Sequence, residues 1–333
     1  MSERITPDSI VITPRAVPST DLTRLDKRVT EYEQASHADA TKRTYNGAWA
    51  KFVVWAQNQG LSPLPADPST VARYLAHRAE TGRKVATLNM DRCAINHAHV
   101  SRGLESPTSH PGVVRVVRGI YRTVGAHVDK AAAVRMDELR VALDALDQRS
   151  LAGARNAALL AVGFGGALRR SELAGICVEH LDERVEGFAL VLPKSKTDQE
   201  RRGATIAIYR VSDERYCPVA LVSRWLAMAG IKAGPVFVRV DRHGHVHPGR
   251  AITPETVNEI VKQHVAPYCR NPAMVTAHSL RAGFLTEAAS AETPEHLMQQ
   301  HSRHKSRDTM QGYIREGRLF NAKLGRVTDP TKR

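Results

Sequence analysis

The sequence is poor in aromatic residues and cysteines. Aromatic side chains make up 5% of its 333 residues, so any hydrophobic core would be mainly aliphatic. The four cysteines lie far apart and form no C-x-x-C pair, which argues against a zinc site or a disulfide framework. We interpret all four as reduced thiols: Cys93, Cys177, Cys217 and Cys269.

Long hydrophobic runs are also absent. The longest spans residues 157–168, which is too short to cross a bilayer and is typical of a buried helix. The first 14 residues show no basic segment followed by an apolar one, as a secretion signal would. We therefore expect a cytoplasmic protein without a membrane partner.

Acidic residues are outnumbered. There are 34 Asp and Glu residues against 48 Lys and Arg, which gives a net charge of +14. A charge of this size steers a protein towards polyanions. Nucleic acid is the favoured partner, and an anionic membrane surface is the competing one. The expected location is therefore DNA-associated, in the nucleoid.

The pattern of the chain predicts two domains, which is consistent with its length at ~150 residues per domain. Residues 1–20 are unpatterned and predicted to be a flexible N-terminus. Residues 21–125 are helical throughout, residues 126–134 form a linker, and residues 135–333 form the second domain. No internal repeat is present.

The helical domain carries the candidate DNA contacts. One helix has a less polar face, formed by residues 86, 90, 93, 97 and 100, and a polar side with Asn and Arg, which suits base edges. An arginine stripe on the last helix suits phosphates, although a merely solvated basic face is equally compatible. The predicted DNA-binding residues are Lys42, Arg43, Asn89, Arg92, Asn96, Arg115, Arg118 and Arg122.

The second domain is predicted to be helical with one small sheet. Helices are indicated over residues 137–146 and 155–168. Two hydrophobic runs, 188–192 and 204–208, flank a charged turn at 194–202 and predict a β-hairpin or two sheet strands. Further helices are indicated over 218–230, 254–265 and from 279 onwards. The predicted fold is therefore mostly α with a small β-sheet.

Four short stretches of the second domain share one chemical theme. They are Gly166–Leu173, Lys194–Arg201, His278–Arg281 and Arg303–Ser306, and Tyr313 follows the last of them. They contain arginines, histidines and lysines, whose donors can surround one phosphate and stabilise the charge that develops on it during reaction. A tyrosine hydroxyl beside such a cluster can act as a nucleophile.

In this order and spacing, the four stretches resemble the catalytic signature of the tyrosine recombinase (phage integrase) family, which includes the Xer, Cre and lambda integrase types. The resemblance covers residues 135 to about 320 by motif and 20–125 only by helical pattern. It implies an N-terminal helical core-binding (SAM-like) bundle and a C-terminal α+β catalytic domain. Two departures are Arg303, where the family usually has glycine, and Gly165-Gly166-Ala167, which is looser than the usual stretch.

The resemblance also implies roles and partners. Double-stranded DNA with a specific recombination site would be cut and rejoined through a 3′-phosphotyrosyl link, without metal or ATP, by a tetramer on paired sites. Tyr313 would be the nucleophile, and Lys196 the general acid. The phosphate would be held by Arg169, His278, Arg281 and His304. Glu172 would orient Arg169 or His278.

Several assignments stay open at this point. Arg170 competes with Arg169, and Lys194 with Lys196. Other tyrosines exist, although none follows a histidine-containing turn at this distance: Tyr209, Tyr216 and Tyr268. Three alternating histidines could bind a metal or form a solvated or DNA-facing loop: His243, His245 and His247. The apolar tail could pack on its own domain or on a neighbouring protomer: Phe320, Leu324 and Val327.

Two other functions compete with a recombinase. A type IB topoisomerase would share the chemistry and relax supercoils as a monomer, but the hairpin and the apolar tail favour the recombinase. A DNA-binding accessory protein without catalysis is the other candidate, and the intact set of six candidate catalytic side chains argues against it. Neither the target site nor the biological role follows from the sequence.

Overall fold

The computed structural model describes residues 19–35, 39–125, 131–193, 203–304 and 306–319. The chain divides into two compact units, Met1–Val128 and Asp129–Arg333. The predicted fold class, mostly α with a small β component, is confirmed. In the described part of the chain, no helix is long and apolar enough to span a membrane.

The first unit is a bundle of helices. Asp67 caps the third of them through the backbone N–H of Ser69, and a proline follows the cap, as the sequence predicts. The aromatic rings of Trp49, Phe52 and Tyr74 pack in its core. The helices are α1 (Ser19–Ala35), α2 (Asp39–Asn58), α3 (Pro68–Glu80), α4 (Val85–Val100) and α5 (Pro111–Val124).

The less polar face of α4 is not its buried face. Met90, Cys93 and Val100 of that face are exposed, and the buried face instead includes Asp91 and His99. Asp91 is buried because the Arg78 guanidinium pairs with it at 2.9 Å. The His99 ring bonds the backbone of Ala66 and Ile95. Polar groups with such partners are tolerated in a core, so hydropathy alone selects the wrong face.

The second unit holds the remaining helices and the sheets. Its helices are α6 (Met136–Asp144), α7 (Leu151–Gly165), α8 (Arg170–Ala174), α9 (Pro218–Ala229), α10 (Pro254–His264), α11 (His278–Ser290), α12 (Glu295–Ser302) and α13 (Arg307–Gly317). Its strands are β1 (Leu181–Arg184), β2 (Gly187–Leu192), β3 (Ala204–Tyr209), β4 (Val238–Val240) and β5 (Val246–Ala251).

The predicted strand pair is present as β2 and β3, which run antiparallel with Leu190 opposite Ile206. β1 extends it to a three-stranded sheet in the order β1-β2-β3. The prediction of one small sheet is wrong, because β4 and β5 form a second, two-stranded one. β4 is only three residues long, and Pro248 and Gly249 interrupt the pattern of β5, so neither shows the alternation of a longer strand.

The apolar run of residues 157–168 is the centre of the second unit. Almost every side chain of α7 is buried, as the sequence predicts. α11 packs close to the segment before α6: a Cβ at Gly283 would lie 1.9 Å from the carbonyl oxygen of Val134. Val134 is fully buried and its N–H donates to the Ser279 carbonyl at 3.1 Å. This contact fixes the start of α11, where two of the predicted site residues lie.

Candidate active site

Arg169 and Glu172 form an ion pair at the start of α8. Arg169 is the N-cap residue of this helix, and Ala167 before it has a left-handed backbone with φ 44°. The Arg169 guanidinium donates to Glu172 Oε1 at 2.6 Å, and the Arg169 backbone N–H donates to Oε2 at 2.8 Å. The side chain of Glu172 is only 2% exposed, so the carboxylate holds Arg169 from inside the protein.

Arg281, on the first turns of α11, is almost completely buried at 1% exposure. Its guanidinium donates to the carbonyl of Ala167 at 2.6 Å and to that of Ser302. Burial and the charges of Arg169 and Arg303 lower the pKa of Arg281 to about 9. Burial of the guanidinium and repulsion by the neighbouring arginines both disfavour the charged form of Arg281. A bound anion would offset both effects, so this site favours anion binding.

His304 follows α12 and lies beside Arg281. Its Nδ1 is 2.8 Å from the Ser302 hydroxyl, which itself donates to the Met298 carbonyl. Burial and the charge of Arg281, together with further cations, lower the pKa of His304 to about 3, so the ring is neutral at neutral pH.

Tyr313 lies on α13, beside His278 and His304. Its hydroxyl is 3.0 Å from Nε2 of His278, and its ring centroid is 5.8 Å from that of His304. Burial raises the pKa of Tyr313, and the charge of Arg281 partly opposes this. The His278 side chain reaches the surface, but desolvation by the surrounding protein, and then the charges of Arg281 and Arg169, lower its pKa. A neutral imidazole is therefore within hydrogen-bonding distance of the hydroxyl.

A close backbone contact sets the position of α13. A Cβ at Gly317 would lie 2.5 Å from the Thr286 carbonyl oxygen and 2.7 Å from Cβ of Ala289, so only glycine fits against α11 here. The Ser290 hydroxyl donates to the Gly317 carbonyl at 2.9 Å. Tyr313 precedes Gly317 by about one helical turn, so this contact also fixes the height of the hydroxyl along α11.

The structure thus brings together six of the seven predicted catalytic side chains, which are Arg169, Glu172, His278, Arg281, His304 and Tyr313. Lys196 and its alternative Lys194 lie outside the described residues, as does the tail with Phe320, Leu324 and Val327. Arg170 is exposed, whereas Arg169 belongs to the cluster. Tyr209 and Tyr268 are exposed, and Tyr216 donates to Asp144.

One member of the cluster was not predicted as a site residue. The Arg303 guanidinium donates to Oε2 of Glu172 at 2.9 Å, so Glu172 lies between two arginines. The signal in the sequence was the replacement of the usual family glycine by a residue that can carry charge. Ser302 was also missed, although it contacts both Arg281 and His304.

The alternating histidines lie at the β4–β5 turn. The rings of His245 and His247 approach Asp241 Oδ2 at 3.2 and 3.3 Å, and Asp241 also accepts from the backbone N–H of His243. The backbone N–H of His245 also donates to this carboxylate and is the main cause of the lowered pKa of Asp241, and the other contacts add to it. Within the ranges that the structure describes, no three His, Cys, Asp or Glu side chains are placed to hold a metal ion.

The predicted DNA contacts differ in exposure. Asn89 is half-buried and accepts a hydrogen bond from the Tyr121 hydroxyl, and Arg92 is half-buried. Lys42 is half-buried as well. The exposed members are Arg43, Asn96, Arg115, Arg118 and Arg122. A groove between α2 and α4 is lined by Arg43 and by two residues that were not predicted, Lys51 and Met90.

Comparisons with known proteins agree with this geometry. The model of the phage integrase family matches residues 133–318. A protein described as an integrase/recombinase xerD homolog, from Selenomonas ruminantium, is 31% identical over 300 residues, which cover 89% of this chain and 87% of that protein.

Solved structures show the same fold at low identity. XerH site-specific recombinase, bound to palindromic difH substrate, matches with a TM-score of 0.57 at 15% identity, over 79% of this chain and 71% of XerH. A lambda integrase dimer bound to a COC′ core site matches with a TM-score of 0.53 at 15% identity, over 90% of this chain and 95% of that one. The chain therefore belongs to the phage integrase family, the family of the tyrosine-type site-specific recombinases.

Proposed function

We propose that this protein cuts and rejoins duplex DNA at a specific recombination site through a covalent link between Tyr313 and a 3′ phosphate. The observation that carries the proposal is the Tyr313 hydroxyl, 3.0 Å from Nε2 of a neutral His278 and next to the buried Arg281. A nucleophile, a base within reach and a cationic anchor are the groups that this displacement requires.

The scissile phosphate would bind where the guanidiniums of Arg169 and Arg281 meet, with His304 as a further donor. The Tyr313 oxygen attacks phosphorus while its proton passes to His278 Nε2. The bond from phosphorus to the 5′ oxygen breaks, and Lys196 gives that oxygen a proton. The 3′-phosphotyrosine keeps the energy of the broken bond, so a 5′ hydroxyl of a partner strand can reverse the step without ATP or a metal ion.

In this proposal Glu172 positions Arg169, and Arg169 contacts the phosphate. Glu172 holds Arg169 through two hydrogen bonds, which positions the guanidinium without contacting the phosphate itself.

The helical unit would bind the duplex as the core-binding domain, and four protomers would assemble on paired sites. XerH and lambda integrase were both solved with DNA of their own sites, which supports duplex DNA as the partner.

The two competing functions, a type IB topoisomerase and a DNA-binding accessory protein, have less support. A type IB topoisomerase would use the same chemistry, but the relatives described above are recombinases and integrases. A DNA-binding protein without catalysis would not need a neutral histidine within hydrogen-bonding distance of the hydroxyl of a half-buried tyrosine. The hydrogen bond between His278 and Tyr313 therefore favours the enzyme over the accessory protein.

Trapping the covalent intermediate tests the proposal. The target site is first identified as a repeat near the gene that the protein protects in a footprint. A duplex with this site carries a nick close to the cleavage point, so that the short cleaved strand diffuses away after attack. Wild-type protein should form an adduct that survives detergent, and EDTA should not lower the yield. An adduct that disappears in EDTA and returns with magnesium would indicate metal-dependent chemistry instead.

The exposed residues of α4 and α5 should affect DNA binding in different ways. Arg118→Ala should weaken binding to target and random DNA alike and reduce the salt dependence by about one unit of slope. Asn96→Ala should mainly lower the preference for target DNA, by ~1–3 kcal/mol per lost base contact. Fluorescence anisotropy over a salt series measures both, and identical behaviour of the two variants contradicts the assignment.

Asn89→Ala is the matched control for this pair. Its side chain is already hydrogen-bonded to Tyr121, so the substitution should lower the free energy of unfolding by about 1 kcal/mol rather than change the preference for target DNA. A loss of preference equal to that of Asn96→Ala, at unchanged stability, would assign Asn89 to the DNA contact after all.

A further inference from the structure

Arg303 has a backbone that favours glycine. It ends α12 with φ 59° and ψ 39°, in the left-handed region where a side chain is disfavoured. Its side chain is only 8% exposed, so the guanidinium is buried as well. A residue that is disfavoured both by its backbone and by burial of its charge is retained where its contacts compensate.

The contacts of Arg303 close a ring with Arg169 and Glu172. The Arg303 guanidinium donates to Glu172 Oε2 at 2.9 Å, and that of Arg169 donates to Oε1 at 2.6 Å. The Arg169 guanidinium also lies 3.4 Å from the Arg303 carbonyl oxygen, which can accept from it. The ring therefore ties the start of α8 to the turn that carries His304.

Arg303 is not itself placed to contact the phosphate. Its Nη1 donates to the His301 carbonyl at 2.9 Å and its Nη2 to Glu172. Its Nε is buried, without a hydrogen-bond partner among the residues that the structure describes. Arg169, whose side chain is 19% exposed, is the more accessible of the two guanidiniums.

We propose that Arg303 is a positioning residue, whose guanidinium shares the Glu172 carboxylate so that Arg169 and the His304 turn are held in the geometry for cleavage. Without Arg303, one carboxylate oxygen would lose its charged partner in a buried site, and Glu172 would compete with the DNA phosphate for Arg169. The inference rests on the proposed function, because its effect is on the step in which the phosphate is attacked.

The test compares Arg303→Gly with Arg303→Lys. Glycine suits the left-handed backbone and removes the guanidinium, so the chain should fold. Single-turnover adduct formation by Arg303→Gly should fall by about ten- to a hundredfold, with the Kd for the same duplex changed by less than about threefold. Arg303→Lys should recover part of the rate, since an ammonium keeps the charge beside Glu172 but cannot also reproduce the hydrogen bond to the His301 carbonyl in the same geometry.

A double-mutant cycle with Glu172→Gln identifies the route of the effect. If Arg303 acts through Glu172, Arg303→Gly should cost much less in the Glu172→Gln background than in the wild type. Arg184→Gly is the control, because it removes an arginine from an exposed pair with Asp182 on β1 and should leave the rate unchanged. The inference is overturned if Arg303→Gly lowers the rate of adduct formation as much in the Glu172→Gln background as in the wild type. It is also overturned if Arg303→Gly has the wild-type rate.

NMR of the protein with ¹³C-labelled histidine separates this inference from the proposed function. The His304 signal, assigned by its absence in His304→Gln, should shift or broaden in Arg303→Gly and return towards the wild-type position in Arg303→Lys. An unchanged His304 signal in Arg303→Gly overturns the positioning role, whether or not wild-type protein forms an adduct. Absence of the wild-type adduct, with the NMR result as expected, counts against the proposed function alone.

Discussion

Replacing Tyr313 with phenylalanine should abolish the covalent adduct while DNA binding persists. The change removes one oxygen and keeps the ring, which packs against the small apolar cluster of α11, α12 and α13. The lost hydrogen bond to His278 should lower the free energy of unfolding by only about 1 kcal/mol. The measurement is the fraction of a labelled nicked duplex that remains bound to protein in detergent.

Tyr268→Phe provides the matched control. Tyr268 is 42% exposed and lies after α10, outside the cluster, so this variant should form the adduct at the wild-type rate. An adduct at undiminished yield from Tyr313→Phe would assign the nucleophile to another residue. Tyr313→Phe should also bind the target duplex with the wild-type salt dependence, because no phosphate contact is assigned to its hydroxyl.

Replacing Lys196 with alanine should slow cleavage by roughly 10²–10⁴-fold, the usual contribution of a general acid. In the proposed reaction the leaving group is a 5′ alkoxide, which departs slowly unless it receives a proton in the transition state. Lys196 lies outside the described residues, on the segment between β2 and β3, so this role rests on the family resemblance and on the chemistry. Quenched-flow measurement of adduct formation gives the rate.

A sulfur atom in place of the bridging 5′ oxygen tests the same role more sharply. A thiolate leaves without a proton, because thiols are far more acidic than alcohols. Lys196→Ala should therefore regain a nearly wild-type rate on this substrate, whereas Arg169→Ala should not, since the proposed role of Arg169 is to bind the phosphoryl oxygens. Lys194→Ala is the matched control, and a defect with sulfur rescue in Lys194→Ala alone would exchange the two assignments.

Where burial follows hydropathy, the sequence was sufficient to predict the fold. The apolar run of α7 is buried, and the two hydrophobic runs predicted to be strands are present as β2 and β3, whose larger apolar side chains are mostly buried. The less polar face of α4 is not the buried one, because Asp91 and His99 enter the core with partners from other elements. Such partners depend on tertiary structure, so a local pattern does not contain them.

The candidate site shows the same limit. The types and order of its residues were sufficient to select six side chains that the fold brings together. Their protonation was not predictable, because the low pKa of His304 arises from burial and from cations on other elements. The hydrogen-bonded ring of Arg303, Glu172 and Arg169 was not predictable either, since it requires a left-handed turn and a contact between α8 and the end of α12.

The glycine contact between α13 and α11 has a consequence for mixtures of defective proteins. Because Gly317 lies against the backbone of α11, the chain that supplies Arg281, the proposed phosphate anchor, also supplies Tyr313. In the proposed function, each active site would then be formed by the residues of one polypeptide. Two inactive variants, one without the tyrosine and one without the arginine, would not complement each other, and in a mixed assembly activity would depend on each site separately.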